Sequence, residues 1–230
     1  RLLKGRSHAW WAIAISALML TGMGIGFARV MARRNEIPAN LRVEKPEEGI
    51  RDEEMNFAFQ HPGKPWTTLN APRINKLAKF AMARGGDAQM YFMIVPEKFA
   101  DGELADEEEG TELLADIVSA NLASAAGTVE KLSREPLAVG GMKGIRLRSR
   151  AQHANMPLTY VHWVYAHGEH AYQLVAWGSP KGEEALFAEA DRLFSRFSLV
   201  NPQSKAAPAT AAARPLTAQS TEYGYSVELD

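Results

Sequence analysis

The sequence predicts an α+β protein in which an antiparallel sheet is flanked by helices and preceded by a single transmembrane helix. Three observations carry this prediction. Residues 142–153, 157–167 and 170–178 have strand character and are joined by short turns, which favours an antiparallel meander. Stretches with helical spacing of apolar residues lie before and after that meander. An uncharged apolar stretch lies near the start of the chain, at residues 9–28.

Composition and charge exclude several classes of function. The chain has 230 residues, with 26 Lys and Arg against 27 Asp and Glu, and a formal net charge of −1. A general nucleic-acid binder needs a surplus of basic residues to displace counterions from phosphates, so nucleic acid is not an expected partner. The chain has no cysteine, which excludes disulfides, thiolate catalysis and cysteine-ligated metals.

The apolar stretch AWWAIAISALMLTGMGIGFA at residues 9–28 has the length of a transmembrane helix. About 20 residues at about 1.5 Å each cross the hydrocarbon core of a bilayer. Trp10 and Trp11 lie at one end, where indole rings favour the headgroup interface. The stretch is longer than the apolar region of a signal peptide, so residues 1–34 are predicted to be a basic flank and a retained anchor. Basic residues at both ends leave the orientation undetermined by charge.

Two glycines in this span suggest a contact between helices. Gly22 and Gly26 are four residues apart, a spacing that lets two membrane helices approach closely. A homodimer through this face is one expectation. The alternative is that these glycines have no packing role, because glycine is common in membrane helices.

Composition divides the rest of the chain into four segments. Residues 35–54 are polar, with two prolines and a charge run, and are predicted to be a stalk. A folded domain is expected at 55–200, followed by an Ala/Pro/Ser/Thr linker at 201–220. Residues 221–230 alternate with strand period and, like residues 54–59, place a small residue between two aromatics after a glutamate. We therefore expect a second copy of the domain to begin there.

Further elements are predicted inside the domain. Residues 56–61 and 90–95 are expected to be strands, the second covered on both faces because it is continuously apolar. Helical spacing predicts helices at 111–126, with Thr111 as its N-cap, and at 180–197. The order is strands, helix, antiparallel meander, helix.

The register of the meander follows from its last turn. The four residues 167–170 (HGEH) predict a tight hairpin. Counting back from this turn places Tyr165 opposite Tyr172, and Trp163 opposite Leu174. These side chains lie on one face of the sheet.

Basic and aromatic side chains are expected to share that face. If strand 142–153 pairs next with the hairpin, the set comprises Arg146, Arg148, Arg150, Trp163, Tyr165 and Tyr172. Arginine stacks on aromatic rings and binds carboxylates or phosphates through two parallel hydrogen bonds. The set therefore predicts a binding surface for an anionic ligand or a partner segment. The alternative is that the rings and the arginine stems pack beneath a covering helix.

Other candidate chemistry is weaker. His167, Glu169 and His170 at the hairpin would form an incomplete metal shell, and strand alternation points His162 to the opposite face. No nucleophile motif accompanies the serines and histidines. No catalytic residue, metal or cofactor is therefore predicted.

The pattern of the domain resembles the PsbP/DcrB-like superfamily over residues 55–200. The resemblance is carried by the opening strand and turn at 57–66 (FAFQHPGKPW), the glycine-led strand entry at 141–147, the hairpin at 160–177 and the closing helix at 185–199. A departure is the long, helix-like segment before the central strand.

The resemblance implies an α/β/α sandwich and a role without catalysis. Superfamily members are mostly lipid-anchored or secreted binding, accessory or assembly factors. It implies a single-pass protein of the bacterial inner membrane with its domain outside the cytoplasm, and the bilayer and other envelope proteins as its partners. The alternative is the anchor and sensor portion of a larger enzyme whose catalytic domain lies outside this stretch.

Overall fold

The computed structural model describes most of the domain and little of what precedes it. The described residues are 37, 39–43, 48–86, 89–99, 106–126, 128–153 and 156–203, and the backbone alone at 216–220 and 225–229. The predicted span and its two glycines, Gly22 and Gly26, lie outside these residues. Among the residues that are described, no helix is both long enough and apolar enough to cross a membrane.

The described residues form short and long strands and three α-helices. In chain order the elements are β1 (Ile50–Asp52), β2 (Phe57–Phe59), β3 (Trp66–Thr68), α1 (Ala71–Ile74), β4 (Phe80–Arg84), β5 (Met90–Lys98), α2 (Glu107–Ala125), β6 (Thr128–Val139), β7 (Met142–His153), β8 (Met156–His167), β9 (His170–Gly178), α3 (Glu183–Phe194), β10 (Phe197–Leu199), β11 (Leu216–Ser220) and β12 (Tyr225–Leu229). The predicted α+β class with antiparallel sheets is confirmed.

The main sheet has seven antiparallel strands in the order β3-β4-β5-β9-β8-β7-β6. The three strands of the predicted meander are β7, β8 and β9, with bounds within one residue of the prediction. Tyr165 pairs with Tyr172 and Trp163 with Leu174, as the turn predicted. The register follows from the two-residue turn because each pair along an antiparallel hairpin is fixed by the one before it.

Strand β6 was missed by the sequence analysis. Among the described strands it lies at the edge of the sheet and pairs with β7, and most of its side chains are partly or fully exposed. The pairing register shifts between Lys131 and Ser133, which breaks the alternation of the strand at Leu132. An exposed edge with a bulge and a proline (Pro136) lacks the apolar pattern from which strands are recognised.

The predicted helix at 180–197 is shorter than expected. Helix α3 ends at Phe194, where the Ser195 N–H donates to the Asp191 carbonyl. Phe197 then lies in β10, one of three strands of a small sheet ordered β1-β2-β10. Its ring stacks on Phe57 with centroids 5.8 Å apart. An apolar residue at this position is buried in either conformation, so periodicity alone could not place the helix end.

The predicted cap of the other long helix is also wrong. Helix α2 begins four residues before Thr111, and its N-cap is Asp106, whose carboxylate accepts from the N–H groups of Glu108 (2.8 Å) and Glu109 (3.0 Å). Thr111 is buried inside the helix, where its hydroxyl accepts from the Ala166 N–H at 3.0 Å. The acidic residues that precede Thr111 form the first turn of the helix, where their negative charges interact favourably with the positive end of the helix dipole.

The folded unit starts before residue 55. Part of the predicted stalk packs on the main sheet, because Ile37 and Leu41 are buried in a cluster that includes Trp177. Strand β1, also inside the predicted stalk, pairs with β2. Only part of residues 35–54 therefore has the exposed character expected of a stalk.

At the other end, the predicted linker contains a strand. Its last five residues form β11, which pairs antiparallel with β12 in a two-stranded sheet. The strand predicted within 221–230 corresponds to β12. A second copy of the domain stays a prediction.

Helices cover both faces of the main sheet. On the α3 face, the apolar side of α3 packs on rings such as Trp163, Tyr172 and Phe92 in one continuous cluster. On the α2 face there are two clusters, one beneath α2 around Leu147 and one around Tyr91, which residues near the start of the domain cover. The main sheet thus forms the middle layer of three.

Candidate functional site

The three arginines predicted as a ligand surface contact α3 instead. Arg146 donates from Nη1 to both carboxylate oxygens of Asp191, at 2.7 and 2.6 Å. Arg150 donates from Nε and Nη2 to the two oxygens of Glu183, each at 2.7 Å. Between them, the guanidinium of Arg148 lies 4.4 Å from the centre of the Phe187 ring. The row of arginines on β7 therefore faces a matching row on α3.

This match has a geometric cause. Two residues along a strand advance about 6.6 Å, and four residues along a helix advance about 6 Å. Every second residue of β7 therefore meets every fourth residue of α3 when the two run antiparallel. Hydrogen bonds from Arg150, and to a lesser extent Thr159, lower the pKa of Glu183. Burial lowers the pKa of Arg146, but the hydrogen bonds and charges of Asp191 and Glu135 outweigh this and raise it.

The three aromatic rings of the predicted surface are buried. Trp163 and Tyr172 are fully buried and Tyr165 is nearly so. The Trp163 indole N–H donates to the Leu137 carbonyl at 3.0 Å, and a Cβ on Gly144 would sit 2.3 Å from that nitrogen. The Tyr172 hydroxyl donates to a backbone carbonyl near β2. The six predicted residues share one face, but a ligand would have to displace α3 and the small sheet to reach the rings.

The histidines at the β8–β9 turn are also used in packing contacts. The Nδ1 atom of His167 lies 2.7 Å from Oε1 of Glu107 at the start of α2. The Nε2 atom of His170 lies 3.1 Å from the Glu54 carbonyl oxygen, and Glu169 pairs with Lys98 at 3.2 Å. Within the described ranges, no group of three or more potential metal ligands comes together.

The candidate site lies on the opposite face, in a cavity beneath α2. Its volume is about 150 Å³. Val118 and Leu122 of α2 form its roof, and Val129 of β6 and Leu147 of β7 form apolar walls. The bulge at Leu132 borders the cavity. The gap between α2 and the sheet therefore lies at the irregular part of β6.

Two buried polar side chains line this cavity from β7 and β8. Ser149 on β7 and His162 on β8 are only 6% and 5% exposed. They are diagonal neighbours, because Ser149 pairs with Tyr160 and Leu147 pairs with His162. The imidazole stacks on the Tyr160 ring, with centroids 5.9 Å apart and planes 6° from parallel. In the described part of the chain, neither Ser149 nor His162 has a side-chain hydrogen bond.

Burial lowers the pKa of His162 to about 4. The imidazole is therefore neutral near pH 7, with one nitrogen that donates and one that accepts. The Ser149 hydroxyl can also donate or accept. Together they offer a ligand a pair of hydrogen-bonding groups on a cavity surface that is mostly apolar.

Sequence reasoning placed His162 on the correct face but did not assign it a role. The available signal was that a serine and a histidine occupy positions where strand alternation predicts core residues. A buried polar group normally has a hydrogen-bond partner, so two such residues at neighbouring inward positions indicate either a polar contact or a site.

No family model and no curated protein matches the chain. Solved structures with similarity include cyanobacterial PsbP (CyanoP) from Synechocystis sp. PCC 6803, at 10% identity and TM-score 0.48 over 66% of this chain and 91% of that one. Another is LpqN, involved in cell envelope biogenesis of Mycobacterium tuberculosis, at 11% identity and TM-score 0.49 over 63% of this chain and 83% of that one. A third is a protein from Bacteroides thetaiotaomicron VPI-5482, at 12% identity and TM-score 0.44 over 63% of this chain and 45% of that one.

Proposed function

We propose that this chain is a single-pass, membrane-anchored protein of the bacterial envelope. Its α+β domain, of the PsbP/DcrB-like type, lies outside the cytoplasm and acts as a binding or assembly module without catalytic activity. The observation that carries the binding role is the cavity beneath α2, which the buried residues Ser149 and His162 line without a side-chain hydrogen bond to any described residue. Buried polar side chains normally have hydrogen-bond partners in the protein, so two that face a cavity without one fit a site that a ligand completes.

The proposed anchor rests on residues 9–28, which carry no charge over the length that a bilayer requires. Trp10 and Trp11 at one end and basic residues outside both ends are typical of a retained span.

The proposed absence of catalysis rests on how the domain uses its ionisable side chains. Arg146 and Arg150 are paired with carboxylates of α3. His167 is paired with Glu107. Groups held in structural pairs are poorly placed to accept or release protons at a substrate.

Cell fractionation tests the anchor. We expect the 230-residue chain, expressed in bacterial cells, to stay in the membrane pellet after carbonate washing. The double variant Leu18→Lys and Leu20→Lys is expected in the soluble fraction, because each lysine at the centre of a span costs about 3 kcal/mol. The matched control Thr67→Lys and Thr68→Lys, within the domain, should stay in the membrane. A soluble wild-type chain would contradict the anchor.

Protease accessibility and crosslinking test the side and the role of the domain. Protease added to sealed spheroplasts is expected to remove residues 50–200; an intact domain would contradict an extracytoplasmic location. In-cell crosslinking of the full chain is expected to link the domain to other envelope proteins. Crosslinks to cytoplasmic proteins alone would contradict the proposed envelope role.

A further inference from the structure

We propose that the cavity beneath α2 binds a small uncharged molecule that has a ring or a short branched apolar body and one hydroxyl or amide group. The inference rests on the proposed binding role and names the class of ligand. It is carried by three properties of the cavity: its volume, its apolar walls and the pair of polar groups on the sheet.

The volume fits one six-membered ring. The cavity measures about 150 Å³, and an engineered apolar cavity of about this size in another protein is known to admit benzene. A longer chain or a fused ring system would have to extend through the mouth beside β6.

The walls select an apolar body. Val118 and Leu122 from α2 and Val129 and Leu147 from the sheet line the cavity. Apolar surface on the ligand would leave water on entering, which is the main source of affinity in sites of this kind. Waters alone would leave most of this lining without favourable contacts.

The polar pair selects one hydrogen-bonding group. A ligand hydroxyl can donate to the unprotonated nitrogen of His162 and accept from the Ser149 hydroxyl, which gives each side chain a hydrogen bond. Since two buried groups gain partners, a ligand with this group should be favoured over one of the same shape without it.

The ligand is uncharged because the cavity offers no free charge at its polar end. His162 is neutral, since burial lowers the pKa of its imidazole. At the mouth, Arg134 is paired with Glu112 and Asp116 of α2, the latter at 2.5 Å. Lys131 is exposed, so its ammonium is solvated by water, and the guanidinium of Arg148 lies over the Phe187 ring on the opposite face of the sheet. A carboxylate that entered would lose its hydration without gaining a cation.

Three aromatic probes of one shape test the class. Phenol, toluene and benzoate are titrated into the full chain, held in lipid nanodiscs, while NMR follows the His162 ring and the methyl groups of Leu122 and Leu147. Phenol is expected to shift these signals saturably and to bind about tenfold more tightly than toluene. The methyl signals of Leu186 on the α3 face should not move. Benzoate binding as tight as phenol, or toluene binding equal to phenol, would overturn the proposed class.

Variants separate the cavity from the rest of the molecule. Ser149→Ala should weaken phenol binding about tenfold, and Ser198→Ala, an exposed serine on the small sheet, should leave it unchanged. Ser119→Leu should fill the cavity and abolish saturation, with folding checked by circular dichroism. If Ser119→Leu unfolds, Ser149→Ala still decides: unchanged phenol affinity in that variant would overturn the site.

Failure of this inference can be told from failure of the proposed function. If no probe saturates while the chain still crosslinks to envelope proteins, the ligand class is wrong and the envelope module stands. If phenol saturates in a chain that carbonate releases from membranes, the cavity stands and the anchor is wrong.

Discussion

The interior on the α3 face of the main sheet is one continuous cluster, whereas the interior on the α2 face is divided in two. Large rings fill the α3 face, and β7 is tied to α3 by ion pairs. The α2 face of the sheet carries several alanines, and its buried polar residues Ser149 and His162 have no side-chain hydrogen bond to a described residue, whereas Thr159 on the α3 face bonds Glu183. The comparison teaches that one sheet can be packed continuously on one face and leave a cavity on the other, with the same strand alternation on both.

The largest effect expected from this comparison is at Trp163. Trp163→Ala on the α3 face should lower the free energy of unfolding by about 3–5 kcal/mol, because it removes a fully buried indole and its hydrogen bond to Leu137. Leu122→Ala, at the wall of the cavity, should cost about 1 kcal/mol, since Leu122 is half-buried and borders an existing space. Chemical denaturation of both variants checks this. Equal losses would mean that the two faces are packed alike.

The second effect is a pH dependence from His162. Its pKa is about 4 in the folded protein and ordinarily 6.5, so the unfolded chain takes up this proton first as the pH falls. Stability from this group is complete above about pH 6.5 and is lost between pH 6.5 and 4, by up to about 3 kcal/mol.

His162→Phe should flatten the dependence of the unfolding free energy on pH between pH 6.5 and 4.5. The paired carboxylates Glu135 and Glu183 have lowered pKa values, so their contributions are lost only below their ordinary value of 4.5. An unchanged slope in the variant would show that His162 is not held neutral in the cavity.

The third effect tests the contact between β7 and α3. Arg146→Ala should cost about 2 kcal/mol, because the Arg146 side chain is only 13% exposed and its loss leaves Asp191 without its arginine and removes the nearer of the two arginines beside Glu135. Arg192→Ala on the same helix should cost less than about 0.5 kcal/mol, since Arg192 is exposed and only distantly paired with Glu189. Thermal or denaturant unfolding distinguishes them. A loss as small as that of Arg192→Ala would remove the structural role assigned to the arginine row.

The smallest effect compares two buried hydroxyls. Thr159→Ala on the α3 face should cost about 1–2 kcal/mol, because its hydroxyl donates to Glu183 at 3.0 Å. Ser149→Ala on the α2 face should change stability by less than about 0.5 kcal/mol, because no described protein group bonds its hydroxyl. Denaturant midpoints of the two variants check this. A large loss for Ser149→Ala would mean that its hydroxyl has a structural partner.

The strands of the meander could be predicted from the sequence for local reasons. Alternation in β8 and β9 and the turn at 167–170 together fix the register, and the register alone puts Arg146, Arg148 and Arg150 on the face of Trp163. The helix that covers that face could not be predicted, because it depends on contacts between residues that are far apart in the sequence. The spacing of Glu183, Phe187 and Asp191 matches the arginines, but the match is visible only once α3 is known to run antiparallel to β7.

The cavity could not be predicted, because it arises where local rules fail. The bulge at Leu132 leaves β6 without a regular pattern, so neither the strand nor the gap beside it was expected. The alternation of β7 and β8 places Ser149 and His162 at inward positions. The sequence does not show that α2 provides no hydrogen-bond partner for them. Thr111 is the reverse case: a plausible cap in the sequence, it bonds the backbone of β8 instead.

Hydrogen exchange of the full chain with and without saturating phenol tests most directly whether the α2 face holds the site and the α3 face is structural. The account predicts slower exchange in peptides from the second half of α2 and from β6, with no change in peptides from α3 or from β10. Protection of α3 peptides, or equal exchange everywhere at saturating phenol, would contradict it.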